Sequence, residues 1–275
     1  MKAAASTSKI RSAKKAGGGL DDRGARDLDP DEDRFLEKYR PGAFARPSVT
    51  VDLVILTVLD KDLKVLLVQR NEHPYKGRWA LPGGFVRVSD DRNDQGEDLD
   101  AAALRELEEE TGLSKETAGQ FFLEQVKTFG RPGRDPRMRV VSVAYYALVR
   151  STLVPLIRAG GDVAQTRWFS VADLGETQRE DALAFDHAEI LEATLDRARA
   201  DLDRSTIAFE LVPETFTIQE LRAVHEAIRG EALDPGNFRK KFLRMIEDGH
   251  IEAARGKRAT ASKPASVYRF ARKPV

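Results

Sequence analysis

Glu106, Glu109 and Glu110 stand at i, i+3 and i+4 in the run Arg105-Glu106-Leu107-Glu108-Glu109-Glu110-Thr111-Gly112. At about 100° per residue these three carboxylates share one face of a helix. There they repel one another and weaken the helix in isolation. A hard divalent cation, Mg²⁺ or Mn²⁺, relieves that repulsion, because it takes oxygen ligands and leaves positions for water and substrate phosphates. Facing a diphosphate, such a centre polarises a phosphoryl oxygen, activates water and holds the leaving group. Arg105 is placed to pair with a neighbouring carboxylate and orient it. Glu97 is a further candidate oxygen donor, and Gly83-Gly84 lets backbone approach the site closely. An isolated glutamate triplet is more often a solvated helix face. The offsets of Glu97, Arg105 and Gly112, with the upstream glycine pair, favour a site.

These residues need a frame to position them. Leu99, Ala102, Ala103 and Leu107 have amphipathic spacing, which predicts a helix over 98–111 closed by Gly112. Residues 49–59 are rich in β-branched and apolar side chains and turn at Asp60-Lys61-Asp62 into a second run at 65–69, a hairpin. Residues 78–85 lead to the double-glycine corner. Strands are expected at 121–129 and 139–149, flanking a loop at 130–137 in which two prolines and two glycines force a turn. A short strand comes next at 166–169. A strong helix over 186–202 carries Ile190, Leu191, Thr194, Leu195, Ala198 and Leu202 on one side. Residues 1–33 read as a tail with a Gly17-Gly18-Gly19 run and an acidic stretch, and 1–45 as a disordered lead-in.

Composition narrows the class. The chain has 275 residues, 41% of them hydrophobic, which suffices for a packed core, and 33% charged. There is no cysteine, so disulfides, cysteine-ligated metals and thiol catalysis are excluded. The longest apolar run is too short to cross a membrane, and no hydrophobic segment succeeds the basic N-terminus as a secretory signal requires. A cytoplasmic protein that does not bind membranes is expected. The formal charge is zero overall, but residues 217–275 hold thirteen Lys and Arg against seven acids, a net of +6 that leaves −6 for the rest. Two modules with different partners are indicated, the basic one facing something anionic.

In that basic segment, Thr217-Ile218-Gln219-Glu220 is a capping box. It opens a helix with Ile218, Leu221, Val224, His225 and Ile228 inward. Asp234-Pro235 opens a second helix ending at Gly249, with Phe238, Phe242, Leu243 and Ile246 inward. Two strands, 250–254 and 266–270, joined by a basic loop at 255–264, complete a winged helix-turn-helix. Arg239, Lys240, Lys241 and Arg244 lie on or beside the outer side of the second helix, where a helix-turn-helix meets the major groove of double-stranded DNA. Arg255, Lys257, Arg258 and Lys263 suit a wing reaching phosphates or the minor groove. A small protein-interaction domain with a solvated basic face is the plainer alternative.

Gly84…Glu97, then seven residues, then Arg105-Glu106-Leu107-x-Glu109-Glu110-x-Gly112-Leu113 resembles the Nudix box, G-x5-E-x7-R-E-U-x-E-E-x-G-U. It departs in one place: twelve residues rather than five separate Gly84 from Glu97, through an insertion around 89–96. The resemblance runs on through Arg46-Pro47, Arg70-Asn71, Trp79-Ala80-Leu81-Pro82-Gly83-Gly84-Phe85-Val86, Arg134-Asp135-Pro136-Arg137 and the terminal Tyr268-Arg269-Phe270. These look like the Nudix-related transcriptional regulators of NAD metabolism and the ADP-ribose pyrophosphatases near them. The resemblance implies an α/β (α+β) chain, with a Nudix α/β/α sandwich on a mixed sheet over 46–204 and a winged helix-turn-helix over 205–275. It further implies Mg²⁺-dependent cleavage of a nucleoside diphosphate linked to another moiety, or ADP-ribose or a related NAD-derived nucleotide as effector, and a homodimer on operator DNA.

Among the remaining residues, Arg70, Arg134 and Arg137 are candidates for ligand phosphates, with surface arginines closing turns as the alternative. Trp79, Phe85 or Tyr146 could stack on a base, although core packing is the better default. His73 and His187 have no suggestive partner and take no role. Two functions stay open: a nucleotide-sensing regulator that keeps its acidic box, or an ADP-ribose pyrophosphatase whose winged helix serves assembly.

Overall fold

The computed structural model describes residues 30–89, 95–113, 122–157, 165–174, 183–202, 207–259 and 263–271. Residues 90–94 of the insertion, the proposed module boundary at 204/205 and most of the N-terminal tail lie outside the described residues. The chain divides into two units, Met1–Ala45 with Asp90–Gln95, and Arg46–Ser89 with Gly96–Val275.

In the first unit, helix α1 spans Pro30–Lys38 and a 3-10 turn spans Pro41–Ala43. This corrects the reading of that stretch as unstructured lead-in. Phe35, Tyr39 and Phe44 pack ring to ring, at centroid distances of 5.6 and 6.1 Å.

The second unit begins with β1 (Ser48–Leu59) and β2 (Asp62–Gln69), joined by a two-residue turn. Asp60 and Lys61 both take positive φ, 51° and 66°, as the tight turn between twisted antiparallel strands requires. Then come β3 (Trp79–Ala80), β4 (Gly83–Phe85), α2 (Leu99–Thr111), β5 (Phe122–Phe129), β6 (Val140–Leu148), β7 (Gln165–Ser170) and α3 (His187–Leu202). The strands form a seven-stranded sheet along the path β3-β2-β1-β6-β5, with β4 on β1 and β7 on β2. Only β1 and β6 run parallel among its pairs, so the sheet is mixed.

The period of two along β1 sends its side chains to opposite faces. Val51, Leu53 and Ile55 pack with Val143, Tyr145 and Ala147 of β6 against Ala102, Ala103 and Leu107 of α2. Val54, Leu56 and Val58 pack with Ala144, Tyr146 and Leu148 on the other face, beneath Ile190, Leu191, Leu195 and Ala198 of α3. Helix, sheet and helix are the expected sandwich. Each fully buried Leu or Ile contributes about 1.5–3 kcal/mol, which holds β1 and α2, the carriers of the candidate site, in fixed relation.

The winged helix comes next: α4 (Ala208–Leu211), β8 (Thr215–Phe216), α5 (Ile218–Arg229), α6 (Pro235–Glu247), β9 (Ile251–Arg258) and β10 (Ala265–Phe270). Its sheet has the order β8-β10-β9. The Thr217 capping box forms on both sides, from Glu220 N to Thr217 Oγ1 at 3.2 Å and from Thr217 N to Glu220 Oε2 at 2.7 Å. Strand β9 runs further than expected, to Arg258, so Arg255 and Lys257 lie on a strand rather than in the loop. The core under α3 continues without a break into Phe209, Phe216, Leu221, Val224, Phe238, Phe242 and Ile251. The two modules therefore share one apolar core. Among the described residues no helix is long and apolar enough to cross a membrane.

Candidate functional site

Helix α2 starts where Asp98 caps it, accepting from Ala101 N at 2.7 Å, and stops at Gly112, which takes φ 70°. Between these ends Arg105 collects carboxylates. Its Nε and Nη2 bind Glu97 in two places, at 2.9 and 2.6 Å. Nη1 donates to Glu106 Oε1 at 2.6 Å and to Glu109 Oε2 at 2.9 Å. Nη2 also donates to the Phe85 carbonyl at 3.2 Å. The hydrogen bonds from Arg105 and the Arg87 backbone hold the Glu97 carboxyl down to about 2, against slight burial that works the other way.

The insertion does not displace Glu97. Val88 and Gly96 pair as an isolated antiparallel bridge, and Glu97 N donates to Arg87 O at 3.0 Å. The chain therefore re-enters the site at a hairpin base. Arg87, unnoticed in the sequence, donates its backbone N–H to Glu97 Oε1 at 2.8 Å and its Nη2 to Glu109 Oε1 at 2.8 Å.

Gly84 sits on β4, opposite Val51 of β1. A Cβ at Gly84 would overlap the Glu106 carboxylate, so the backbone approaches that group as only glycine allows. Glu106 is buried, and its carboxyl lies above the ordinary range because burial outweighs its bond to Arg105. Glu110 is pushed up to about 7 by burial and by the charges of Glu106 and Glu109, and its buried Oε2 has no hydrogen-bond partner.

An all-oxygen donor set, with one orphaned buried carboxylate oxygen and mutual repulsion raising two carboxyls, fits a hard divalent ion. Glu106, Glu109, Glu110 and Glu97 would hold it. Three of the four are turned onto Arg105, and among the described residues no group of three acids or histidines is gathered tightly enough to grip a metal.

The candidate phosphate arginines separate. Arg134 is only 6% exposed: its Nε and Nη2 bind Asp186 at 2.8 and 2.6 Å, and Nη2 reaches Asp52 at 3.3 Å. It is a buried cation held by Asp186 and Asp52, where the sequence suggested a ligand-phosphate contact or a surface arginine closing a turn. Asp52 also accepts from Ser142 Oγ at 2.5 Å, and His187 Nε2 lies 3.7 Å from it. His187 Nδ1 accepts from Leu81 N at 2.8 Å, so its place is in the frame behind the glycines.

Arg70 and Arg137 remain at the surface of the site. Arg137 pairs with Asp135 at 2.7 Å, and its guanidinium lies 5.4 Å from the centre of the Phe85 ring and 5.9 Å from that of Phe185. Arg70 lies 4.9 Å over Phe185, and its guanidinium donates from Nε to Pro74 O at 2.7 Å. Burial and the charge of Arg137 lower its pKa. Phe185 lies two residues after Leu183, which bridges to Trp79. No local spacing marked it, and an aromatic just ahead of the strong 186–202 helix was the only hint. Of the three candidate stacking residues Phe85 is accessible. Tyr146 is buried with its hydroxyl on Asp201 at 2.9 Å, and Trp79 packs edge-on against Phe169.

On the winged helix, Arg239, Lys240 and Arg244 are exposed on α6, and Lys241 is half-buried. Leu243 is 46% exposed beside them, not inward as its spacing suggested. Arg255, Lys257 and Lys263 are exposed. Arg258 is not a free wing cation: it pairs with Glu220 and donates to Thr215 O at 2.8 Å, tying β9 to the start of α5.

This sandwich, with its acidic box on the helix after a glycine corner, defines a Nudix domain, and the NUDIX domain family matches residues 49–194. The NrtR DNA-binding winged helix domain matches 208–270. The chain belongs to the Nudix family, in the group that carries an NrtR winged helix. It is 34% identical over 240 residues to the ADPR responsive transcriptional repressor NtrR of Acinetobacter baylyi, covering 87% of this chain and 88% of that one. It is 34% identical over 158 residues to an ADP-ribose pyrophosphatase of Methanocaldococcus jannaschii, covering 58% and 78%. In three dimensions it resembles Shewanella oneidensis NrtR, crystallised with a 27mer DNA, at 31% identity and a TM-score of 0.62, covering 81% of this chain and 93% of that one. Nudix hydrolases as a class use divalent metal ions.

Proposed function

We propose that this protein is a cytoplasmic transcriptional regulator that binds operator DNA through its winged helix and takes ADP-ribose, or a related NAD-derived nucleotide, as effector in its Nudix domain. The observation that carries this reading is the exposed basic face of α6, set on a winged helix whose core is continuous with the Nudix sheet. The repressor from Acinetobacter and the DNA-bound Shewanella protein support it. Arg239, Lys240 and Arg244 meet phosphates or guanine edges in the major groove, and Arg255, Lys257 and Lys263 reach flanking phosphates. A two-fold homodimer on a near-palindromic operator is the arrangement such a reader uses. The test is fluorescence anisotropy on a promoter duplex from NAD biosynthesis. Wild type binds with an affinity that falls steeply with salt, as counterion release dictates. Arg239→Ala with Lys240→Ala weakens it at least tenfold at unchanged fold. Absence of salt-sensitive binding by the wild type would refute the regulator.

A second activity is favoured by the intact box and by the orphaned oxygen of Glu110. Glu106, Glu109 and Glu110, with Glu97, would hold Mg²⁺ or Mn²⁺, which when bound supplies Lewis-acid polarisation of a phosphoryl oxygen and a more acidic water. Arg105 orients the carboxylates, Gly83 and Gly84 admit the diphosphate, and Arg70 and Arg137 bind its negative oxygens. With Mg²⁺ the protein then releases AMP from ADP-ribose, and Glu109→Gln abolishes the release. Full turnover by that variant would remove the metal assignment and leave regulation untouched.

A further inference from the structure

Phe185 holds a backbone conformation that bulky residues avoid, φ 55°, and its edge-to-face partner Tyr75, 4.9 Å away, does the same at φ 63°. Such strain persists only where surrounding contacts impose it, and it concentrates at ligand clamps and switches. Besides Tyr75, the His187 ring at 5.3 Å and the cluster of Val68, Ala80 and Ala184, two cations meet the Phe185 ring. Arg70 lies 4.9 Å and Arg137 5.9 Å from the centre of the same ring. Among the described residues Arg70 has no ion pair, and its Nη groups make no hydrogen bond. The arginine pair also adjoins the acidic cluster, since Arg137 lies over Phe85, whose carbonyl accepts from Arg105. A diphosphate bound by the N–H edges of the two guanidiniums neutralises charge that they present to the Phe185 ring and so weakens their attraction to it.

The two residues after Phe185 give that competition a reach. Asp186 clamps Arg134, and His187 opens α3. Helix α3 lies across the sheet and packs on α5, the first helix of the winged domain. Ile190, Leu191, Leu195 and Leu202 share a core cluster with Leu221, Val224 and Ile228, and Arg199 Nε reaches Ile228 O at 3.4 Å. Another part of the α5 surface borders a cavity of about 450 Å³, lined by Val58, Lys61, Ser151, Thr217 and Arg222 among others. The α5 surface therefore meets packed side chains of α3 on one flank and this cavity on another.

We infer that Phe185 is the positioning residue that transmits nucleotide occupancy of the Arg70–Arg137 pair through α3 to the DNA-binding helices. The inference rests on the regulator reading and assigns the part of the Nudix domain through which it acts. Ligand capture by the guanidiniums loosens their hold on the ring, the segment 185–187 relaxes, and α3 moves against α5. The change persists only if the nucleotide has different affinities for the two arrangements, and that difference is reciprocal between ligand and DNA.

The decisive quantity is the ratio of DNA affinities with and without saturating ADP-ribose, measured on a duplex that the wild type selects from random-sequence DNA. Calorimetry confirms saturation for each variant. The wild type should show a ratio of at least tenfold, a typical coupling for linked sites. Phe185→Leu and Phe185→Gly should reduce it below threefold, whatever either affinity does alone. Glycine accepts the positive φ without strain, so the second variant removes the ring while sparing the loop. Hydrogen exchange on the wild type gives an independent readout: ADP-ribose should change protection at the start of α3 and in α5. Variants that saturate with nucleotide yet keep the wild-type ratio overturn the inference, as does unchanged protection in α3. A wild type that binds DNA but never responds to ADP-ribose defeats the effector reading itself, a result distinguishable from both.

Discussion

Arg105 and Arg134 each gather carboxylates, Arg105 from within eight residues along the chain and Arg134 from 52 and 82 residues away, yet they do opposite things. Arg134 is buried with Asp186 and with Asp52 of the central strand β1, and its side chain is 4% exposed. Burial works to lower its pKa, and the two carboxylates outweigh it. Arg105 holds Glu97 and the buried Glu106 from a side chain 16% exposed, and reaches Glu109, which is 44% exposed, at the cluster's open side. The same ion-pair chemistry thus yields a fixed joint where water is absent and a rearrangeable hub where water and ligands can enter. Solvent access, more than the number of partners, separates a structural ion cluster from a working one.

Three substitutions can break this contrast. Arg134→Ala leaves two buried carboxylates without their cation, a loss of about 3–5 kcal/mol. The melting temperature should fall by about 10 °C or more for a domain of this size, and thermal unfolding by circular dichroism reads it. Arg105→Ala removes pairs that are less deeply buried than those of Arg134, so the variant should lose less melting temperature than Arg134→Ala. Any Mg²⁺-dependent AMP release should nevertheless drop at least tenfold. Equal melting losses in the two variants would erase the distinction.

The smallest effect concerns His187, which belongs to the buried group. Burial lowers its pKa, so the folded state disfavours the charged imidazole. Stability from this residue is present above the unfolded value of about 6.5 and is lost as pH falls through the folded one. His187→Gln should flatten the decline in melting temperature between pH 7 and pH 5 relative to wild type. An unchanged slope would show that His187 is not part of the pH-sensitive frame.

Local signals carried well. Asp98 and Gly112 bracket α2, Thr217 and Glu220 form their box, and Asp60-Lys61 turns the first hairpin, because each of these contacts closes within a few residues. The features that escaped the sequence close over long separations. Arg134 finds Asp186 52 positions away, and Arg258 finds Glu220 38 positions away. No periodicity encodes such pairs, so the ion pairs of Arg134, read as a candidate ligand contact, and of Arg258, read as a candidate wing contact to DNA, were not foreseen. Leu243 escaped for a related reason: helical spacing allowed it inward, and the winged core fills with Phe238 and Phe242 instead.

The bridge between Val88 and Gly96 has an engineering consequence. It closes the insertion at its neck, so the placement of Glu97 no longer depends on how many residues lie beyond. A search that demands a fixed gap between the glycine and the first acid would pass over such a chain. For the same reason the interval is a natural port for grafting a fluorescent reporter close to the nucleotide.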